Sequence, residues 1–538
     1  MHYNLCDEPW ILLMKKDGQT ETVGLERAFT NLQEYMSFAG EIQLQDTAML
    51  RLFSALSVTM IYRMDVDGQE DFTTDKGRLM ERFRTIWQRG SFPEAMVTHY
   101  FGKWRDRFDL SGDDRPFYQV PETVASSTIK KKGKELEMRY SLPNTEGVFK
   151  EMNRKPISSI NGTILDSNNK PAAYTDTILP EKDGIKYMPL AESARWLLWY
   201  MAFADCGTKA SGQGKWASKM TFPSSGALVF PVGSNLFETV MMNSVLLKKD
   251  EEPYEEVLPA WENELSLNVQ AEPYGDTAPQ NLPELYTQQS RRIILKCTEY
   301  GVIDVHIIAG DWYSAANAFI EPMFLWKKSR LDQSGSTYVT IKYDTSSKWN
   351  NLRNILLALD TNWSTQWVEY LKREMDLKIE ELALQTAGIE YGSTQSSIDK
   401  MVSDEIIINT RFLEDDSEKE ALTEAISTTD ELASKFYVFG RDLEIAKGAG
   451  PDFADAQGKE MKGVFLEEAE LLLRRLLKGA IDKTSFYEQL QTICHAISER
   501  EMEETDMSAY MNSDMTAAMA ERNLWRASRM ILRGKEGK

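Results

Sequence analysis

The sequence predicts an α+β protein in which a large mixed domain, residues 1–405, precedes a four-helix bundle, residues 406–538. Three observations predict it. The chain has 538 residues, too many for one ordinary core, and its 42% hydrophobic and 10% aromatic content can fill more than one. Up to residue 405, segments of helical spacing alternate with runs of β-branched residues. Beyond that point only helical spacing remains.

Met49 to Met64, MLRLFSALSVTMIYRM, is the clearest apolar helix of a helix-rich start. From Pro121 to Met188 the texture changes to Lys130, Lys131, Lys132, Lys134, Arg139, Lys150, Arg154, Lys155 and Lys170 among NG, SNN and prolines. That pattern predicts strands joined by long loops, their charge serving either as a solvated face or as a ligand surface. Glu192 to Asp205 reads as an amphipathic helix with Ala194, Leu197, Leu198 and Met201 on one face. SGALVFPVG and the helix-like NLFETVMMNSVLL follow, then the acidic, turn-rich DEEPYEEVLPAWENE. QSRRIILKC and GVIDVHIIAG form a predicted hairpin with its turn at Glu299 to Gly301. Residues 345–385 return to helix, and YGSTQSS, Tyr391 to Ser397, is turn-like.

Four apolar stripes at helical spacing complete the chain: Leu432, Phe436, Phe439 and Leu443; Phe465, Ala469, Leu472, Leu473 and Leu476; Phe486, Leu490, Ile493 and Ile497; Ala517, Ala520, Leu524, Ala527 and Ile531. The breaks at Gly448 to Pro451, Lys478 to Lys483 and Asp506 to Asp514 are short enough for antiparallel neighbours, hence the bundle. Arg474, Arg475, Lys478, Arg522, Arg526 and Arg529 are left for outward contacts.

Several functions are disfavoured. No run of about eighteen apolar residues exists, and the acidic start MHYNLCDEPWILLM lacks a basic leader region, so a soluble cytoplasmic protein with no membrane partner is expected. Cys6, Cys206, Cys297 and Cys494 form no C-x-x-C pair, which argues against a disulfide framework or a cysteine zinc site. His2, His99, His306 and His495 make no H-x-H or H-E-x-x-H arrangement, so no metal, cofactor or catalytic residue is expected. Asp65-Val66-Asp67-Gly68 reads as a turn rather than a calcium loop. A net charge of −21 argues against coating nucleic acid through the protein's own field.

The glycine- and lysine-rich stretch DCGTKASGQGKWASKM, Asp205 to Met220, is harder to place. Gly207 and Gly212 have the spacing of a phosphate loop, but Gln213 stands where that loop needs lysine, and a helix rather than a strand precedes it. A flexible surface loop and a loop laid against nucleic acid both remain open.

NLCDEPWILL, RPFYQV, GSNLFETVMMNSV, PAWE, YTQQSRR, AGDW, EPM and YGSTQSS occur in one order along the chain. In that order, with the helical C-terminus, they make the sequence resemble the CasA-type large subunit of the type I-E CRISPR Cascade, an RNA-guided surveillance complex of antiviral defence. The resemblance implies a non-enzymatic subunit that reads the protospacer-adjacent motif in duplex DNA, helps start strand separation and R-loop formation, and helps recruit a helicase-nuclease. Its implied partners are the other Cascade subunits, guide RNA and double-stranded target DNA. In such a complex the guide reads sequence by base pairing while protein reads the adjacent motif.

Residue by residue, the resemblance places Ser211, Gly212, Gln213, Gly214 and Lys215 in the motif-contacting loop, where glycine lets backbone approach base edges. It makes Gln395, within Ser393-Thr394-Gln395, a wedge beside the motif. Tyr174 is placed toward guide RNA, and Lys327 and Lys328 near DNA phosphates. A motif-reading lysine of some relatives falls near Ile303 here, and the four-cysteine zinc site of others is absent. A subunit held by partners needs only local basic patches, which accommodates the negative charge. The alternatives are a scaffold subunit without DNA contact and an NTP-dependent enzyme built on Gly207 to Lys215.

Overall fold

The computed structural model describes the chain from His2 to Lys535 apart from residues 113–114, 121–126, 132–133, 139–153, 163–178, 205–207, 212–213, 218–221, 264–278, 311–320, 329–337, 345–346, 393–397, 512–513 and 534. The elements begin β1 (Ile11–Lys15), β2 (Thr20–Val23), α1 (Leu25–Thr30), β3 (Tyr35–Phe38), α2 (Gln43–Arg63), α3 (Lys76–Arg89) and α4 (Glu94–Trp104). Next come β4 (Ser127–Lys131), β5 (Lys134–Met138), β6 (Arg154–Pro156), β7 (Glu181–Lys182), β8 (Ile185–Lys186), α5 (Leu190–Phe203), β9 (Thr208–Ser211), β10 (Gly214–Ala217), β11 (Leu228–Val232) and α6 (Leu236–Asn243). α7 (Leu282–Tyr286), β12 (Arg291–Thr298), β13 (Gly301–Ala309), β14 (Trp326–Lys328), β15 (Tyr338–Thr340), α8 (Lys348–Leu356), α9 (Trp363–Met375), β16 (Glu381–Tyr391) and β17 (Ile398–Asn409) follow. The chain closes with α10 (Arg411–Glu414), α11 (Asp416–Ala446), α12 (Pro451–Leu477), α13 (Lys483–Glu503) and α14 (Ala517–Leu532). It is therefore mixed α and β with a helical C-terminus, and among the described residues no helix is long and apolar enough to cross a membrane.

Two units divide these elements. The first holds Met1–Tyr343, Thr361–Met375 and Gln385–Asp404; the second holds Asp344–Asp360, Asp376–Leu384 and Glu405–Lys538.

The first unit is organised by α2. Every residue from Thr47 to Tyr62 is buried, and a helix apolar on all faces has to be covered on all of them. α5, α6 and α7 pack against it. The only charge in that run, Arg51, meets Glu321 at 2.7 Å, and its guanidinium lies 4.0 Å from the centre of the Tyr286 ring. Isolated buried charges are strongly disfavoured, so this pair fixes the segment before β14 to the central helix. The stretch expected to be an amphipathic helix, α5, is instead buried from Ser193 to Met201, because α2 and β13 both pack on it.

Most of the short motifs are explained by packing. Trp10 donates its indole N–H to the Leu5 carbonyl at 2.9 Å, and Gln119 links the Leu110 carbonyl (2.7 Å) to the Leu295 amide (2.8 Å). Glu262 accepts from the Tyr100 hydroxyl at 2.7 Å and pairs with Arg63 at 2.6 Å, while burial holds its carboxyl above the usual range. The expected hairpin is β12 with β13, antiparallel, bulged between Lys296 and Cys297 so that Ile303 has no partner in the register. The helix expected to run through 385 stops at Met375. Asp376 has φ 53°, and burial then alternates at the strand period over Glu381 to Thr386 of β16.

In the second unit α11 packs on α12 and α14, and α13 packs on α12 and α14. Leu432, Phe436, Phe439 and Leu443 are buried, and Phe436 stacks on Phe465 with centroids 4.5 Å apart. On α13 and α14 the buried stripes take in Cys494 and Ser528 where Ile493 and Ala527 were expected, a shift of one residue. Glycine is needed where α11 crosses α12: a Cβ on Gly440 would lie 2.6 Å from the Met461 Cβ, and one on Gly458 would lie 2.7 Å from the Tyr437 carbonyl oxygen. Asp415, Asp482 and Thr516 cap α11, α13 and α14 through side-chain bonds to backbone amides.

Candidate nucleic-acid interface

The glycine- and lysine-rich stretch is not a loop throughout. β9 and β10 pair antiparallel, with Ser211 opposite Gly214, Ala210 opposite Lys215 and Thr208 opposite Ala217. Gly212 and Gln213 join the two strands and lie outside the described residues. β9 adds to the sheet of β12 and β13 by a parallel pairing of Ala210 with Ile308. The hairpin is thus rooted on a sheet. It follows the helix α5, so the strand a phosphate loop requires is missing here.

β11 is the strand to which the other predicted elements return. All but its last residue are buried, and it lies beside β16 in the order β11-β16-β17. β16 ends at Tyr391, two residues before Ser393, Thr394 and Gln395, which lie outside the described residues. β11 is also tied to the chain on either side of β14 and β15: the Val229 amide donates to the Met323 carbonyl ahead of β14 (2.8 Å), and the Ala227 amide, just before β11, donates to the Ile341 carbonyl just after β15 (2.7 Å). Lys327 and Lys328 are exposed on β14, where they pair with Val339 and Tyr338, while Trp326 before them is buried.

One side chain secures this junction. The fully buried Asn362 donates from Nδ2 to the carbonyls of Val229 (3.1 Å), Met323 (3.1 Å) and Phe324 (3.3 Å), and its Oδ1 accepts the Thr365 amide at 2.9 Å. Sequence reasoning missed Asn362, because a single amide in TNW carries no periodic signal. The Arg51–Glu321 pair had a signal: one charge in the middle of an otherwise uncharged, mostly apolar run, Thr47 to Tyr62, demands an acidic partner.

The chain segments that carry two of the predicted contacts, the turn of Ser393 to Gln395 and the pair Lys327 and Lys328, therefore start from the surroundings of β11, while the hairpin of Ser211 to Lys215 is rooted on the separate sheet of β12 and β13. Tyr174 lies outside the described residues. The histidines are scattered: His2 bonds Asp109 (2.6 Å), His99 lies 3.5 Å from Glu70, His306 is in β13 and His495 stacks on Trp525. Burial pushes the Cys6, Cys297 and Cys494 thiols up to about 12, which leaves them poor nucleophiles. Among the described residues no group of three or more His, Cys, Asp or Glu could hold a metal ion.

These features define the class, a mixed α and β protein with a helical C-terminal unit and strand-rooted candidate contacts. The family model for CRISPR-associated protein Cse1 matches residues 4–504, and the chain belongs to that family. The CRISPR-associated protein CasA/Cse1 of Thermus thermophilus is 27% identical over 263 residues, which span 48% of this chain and 42% of that relative. The crystal structure of Thermobifida fusca Cse1 superposes with a TM-score of 0.75 at 20% identity, covering 99% of this chain and 98% of that one. A chain of a CRISPR RNA-guided surveillance complex gives a TM-score of 0.60 at 15% identity, covering 98% and 99%. At these identities the structural likeness speaks for the fold.

Proposed function

We propose that this Cse1 family member is the large, non-catalytic subunit of a type I-E RNA-guided DNA surveillance complex. In this reading the hairpin residues Ser211 to Lys215 meet the protospacer-adjacent motif from the minor groove. Gln395, flanked by Ser393 and Thr394, enters the first opened step, and Lys327 and Lys328 hold phosphates. Tyr174 stacks toward guide RNA, and the assembled complex recruits a helicase-nuclease. The observation that carries the reading is that the Gln395 turn and the lysine strand start from the surroundings of β11, and that Tyr391 beside that turn bonds Phe203 and lies next to Ser224, the two ends of the segment that carries the hairpin, in a chain of the Cse1 family. Elements that must meet one short stretch of DNA together need a shared, rigid base.

The test is association of the complete complex with duplexes that carry or lack the motif. Gly214→Arg should cut the preference for the motif by about five- to a hundredfold, the range of one lost base-pair readout, and spare guide-RNA binding. Gln395→Ala should slow association with fully paired DNA and recover on DNA pre-opened beside the motif, because the opened step has already met its unstacking cost. Equal binding of both duplexes by the unaltered complex would mean a scaffold subunit and end this reading.

A further inference from the structure

We propose that Tyr391 is the positioning residue that sets the motif-reading hairpin and the strand-opening turn in one fixed relation, an inference that rests on the function proposed above. Its hydroxyl donates to the Phe203 carbonyl at 2.5 Å and lies 3.0 Å from the Ser224 hydroxyl. Phe203 is the last residue of α5, and Ser224 belongs to the short helical turn Phe222–Ser225 ahead of β11. The segment that carries β9 and β10 runs between these two residues. Tyr391 ends β16, from which the Ser393 to Gln395 segment departs. One oxygen atom thus joins both roots of the hairpin segment to the root of the turn.

The chemistry suits a fixed joint. A phenol has one proton to give, and the Phe203 carbonyl takes it, so the Ser224 hydroxyl is left to donate to the phenol oxygen. The Phe203 carbonyl belongs to the last turn of a helix, where carbonyls have no partner within the helix. Phe203 and Ser224 are buried, at 1% and 5% exposure, which limits competition from water. The need for a second anchor follows from the first, because among the described residues β9 meets β13 through one registered pair, Ala210–Ile308. A four-residue strand is about 13 Å long, so a tilt of about 5° at its root moves the tip by about 1 Å. Recognition tolerates about half that.

The experiment uses the complete complex carrying Tyr391→Phe, which keeps the ring and removes the oxygen. Two ratios are measured: association with motif-bearing over motif-lacking duplex, and association with pre-opened over fully paired duplex. The expected result is a drop of about three- to tenfold in motif preference, the worth of one hydrogen bond, with a matching rise in the advantage of pre-opened DNA. Ser224→Ala should lower motif preference less, and its effect should shrink when it is added to Tyr391→Phe. A tyrosine that only stabilises the fold would change assembly or slow all duplexes alike, and unchanged ratios would overturn the proposal. Should Tyr391→Phe fail to assemble, an unaltered motif preference in Ser224→Ala would overturn it equally. Gly214→Arg separates the two levels. If it collapses motif preference while Tyr391→Phe does not, only the positioning role falls; if neither does, the proposed function falls with it.

Discussion

The two units use polar groups in opposite ways. In the first unit the decisive ones are inside: Arg51 and Glu321, at 2% and 0% exposure, and Asn362, which binds three carbonyls around β11. In the second unit the helix contacts are mostly apolar; the buried carboxylates Asp442 and Glu470 pair with the more exposed Arg441 and Arg474, and further ion pairs lie at the surface. Lys483 meets Glu424 at 2.7 Å and Lys459 meets Asp455 at 2.6 Å, each with solvent access. Exposed pairs of this kind contribute about 0–1 kcal/mol, whereas an unsatisfied buried polar group costs about 1–3 kcal/mol. The first unit is built so that polar bonds place backbone, and the second so that apolar stripes place helices and leave the surface free to carry charge.

The largest expected effect comes from breaking that contrast at its strongest point. Asn362→Leu keeps the branched outline of the side chain but removes its bonds to the Val229, Met323 and Phe324 carbonyls and to the Thr365 amide. It should lower stability by about 3 kcal/mol or more, measured by denaturant unfolding. Lys459→Ala on the second unit should change stability by less than about 0.5 kcal/mol. Comparable losses in the two variants would erase the distinction between the units.

A second prediction uses pH. Asp46 near the start of α2 accepts the Gly40 amide at 2.7 Å, but burial, helped by nearby Glu41, pushes its carboxyl up to about 7. The folded protein therefore keeps a proton that the unfolded chain releases near pH 4. This contribution is full below about pH 4 and is lost as pH rises to about 7, at up to about 1 kcal/mol per pH unit. Glu424 has the opposite sign, since Lys483 and Lys535 hold it below the usual carboxylate range and its contribution disappears toward acid. Asp46→Asn should flatten the neutral-side slope of unfolding free energy against pH and leave the acid-side loss. An unchanged slope between pH 5 and 7 would show that Asp46 is not its source.

The contrast also explains what could be read from the sequence. Apolar periodicity made the C-terminal helices and α2 legible, and β-branched alternation made β12 and β13 legible. The stretch around Gly214 was not, because its strands are short and owe their state to pairing with β13 rather than to their own composition. β11 was visible as SGALVFPVG, but its role at the centre of the candidate site depends on partners far along the chain: Met323, Ile341 and Asn362. Neither Asn362 nor Tyr391 has any local pattern. Their importance comes from three-dimensional coincidence, and the sequence motifs nearest the site mostly report packing.

The smallest expected effect is the most informative about the second unit. Arg522, Arg526, Arg529 and Arg533 are exposed along the end of α14, beside a groove of about 960 Å³ whose wall includes Trp525, stacked on His495 at 3.7 Å. Arg526 follows Arg522 by four residues and precedes Arg529 by three, so it faces like charge in both directions, at a cost of about 0.2–0.5 kcal/mol per pair. Folding alone gives no reason for that stripe in a chain of net charge −21. Arg526→Glu should therefore stabilise the protein slightly, by about 1 kcal/mol or less, while weakening retention of target DNA or recruitment of the helicase-nuclease by the complete complex. Measuring both separates the roles: unfolding free energy for the fold, and retention on DNA over a series of salt concentrations for the charge, since phosphate contacts make affinity salt-dependent. A destabilisation above about 1 kcal/mol would make Arg526 a structural residue and remove the claim that this unit keeps its charge for binding. A gain in stability with unchanged retention and recruitment would leave the stripe without a ligand.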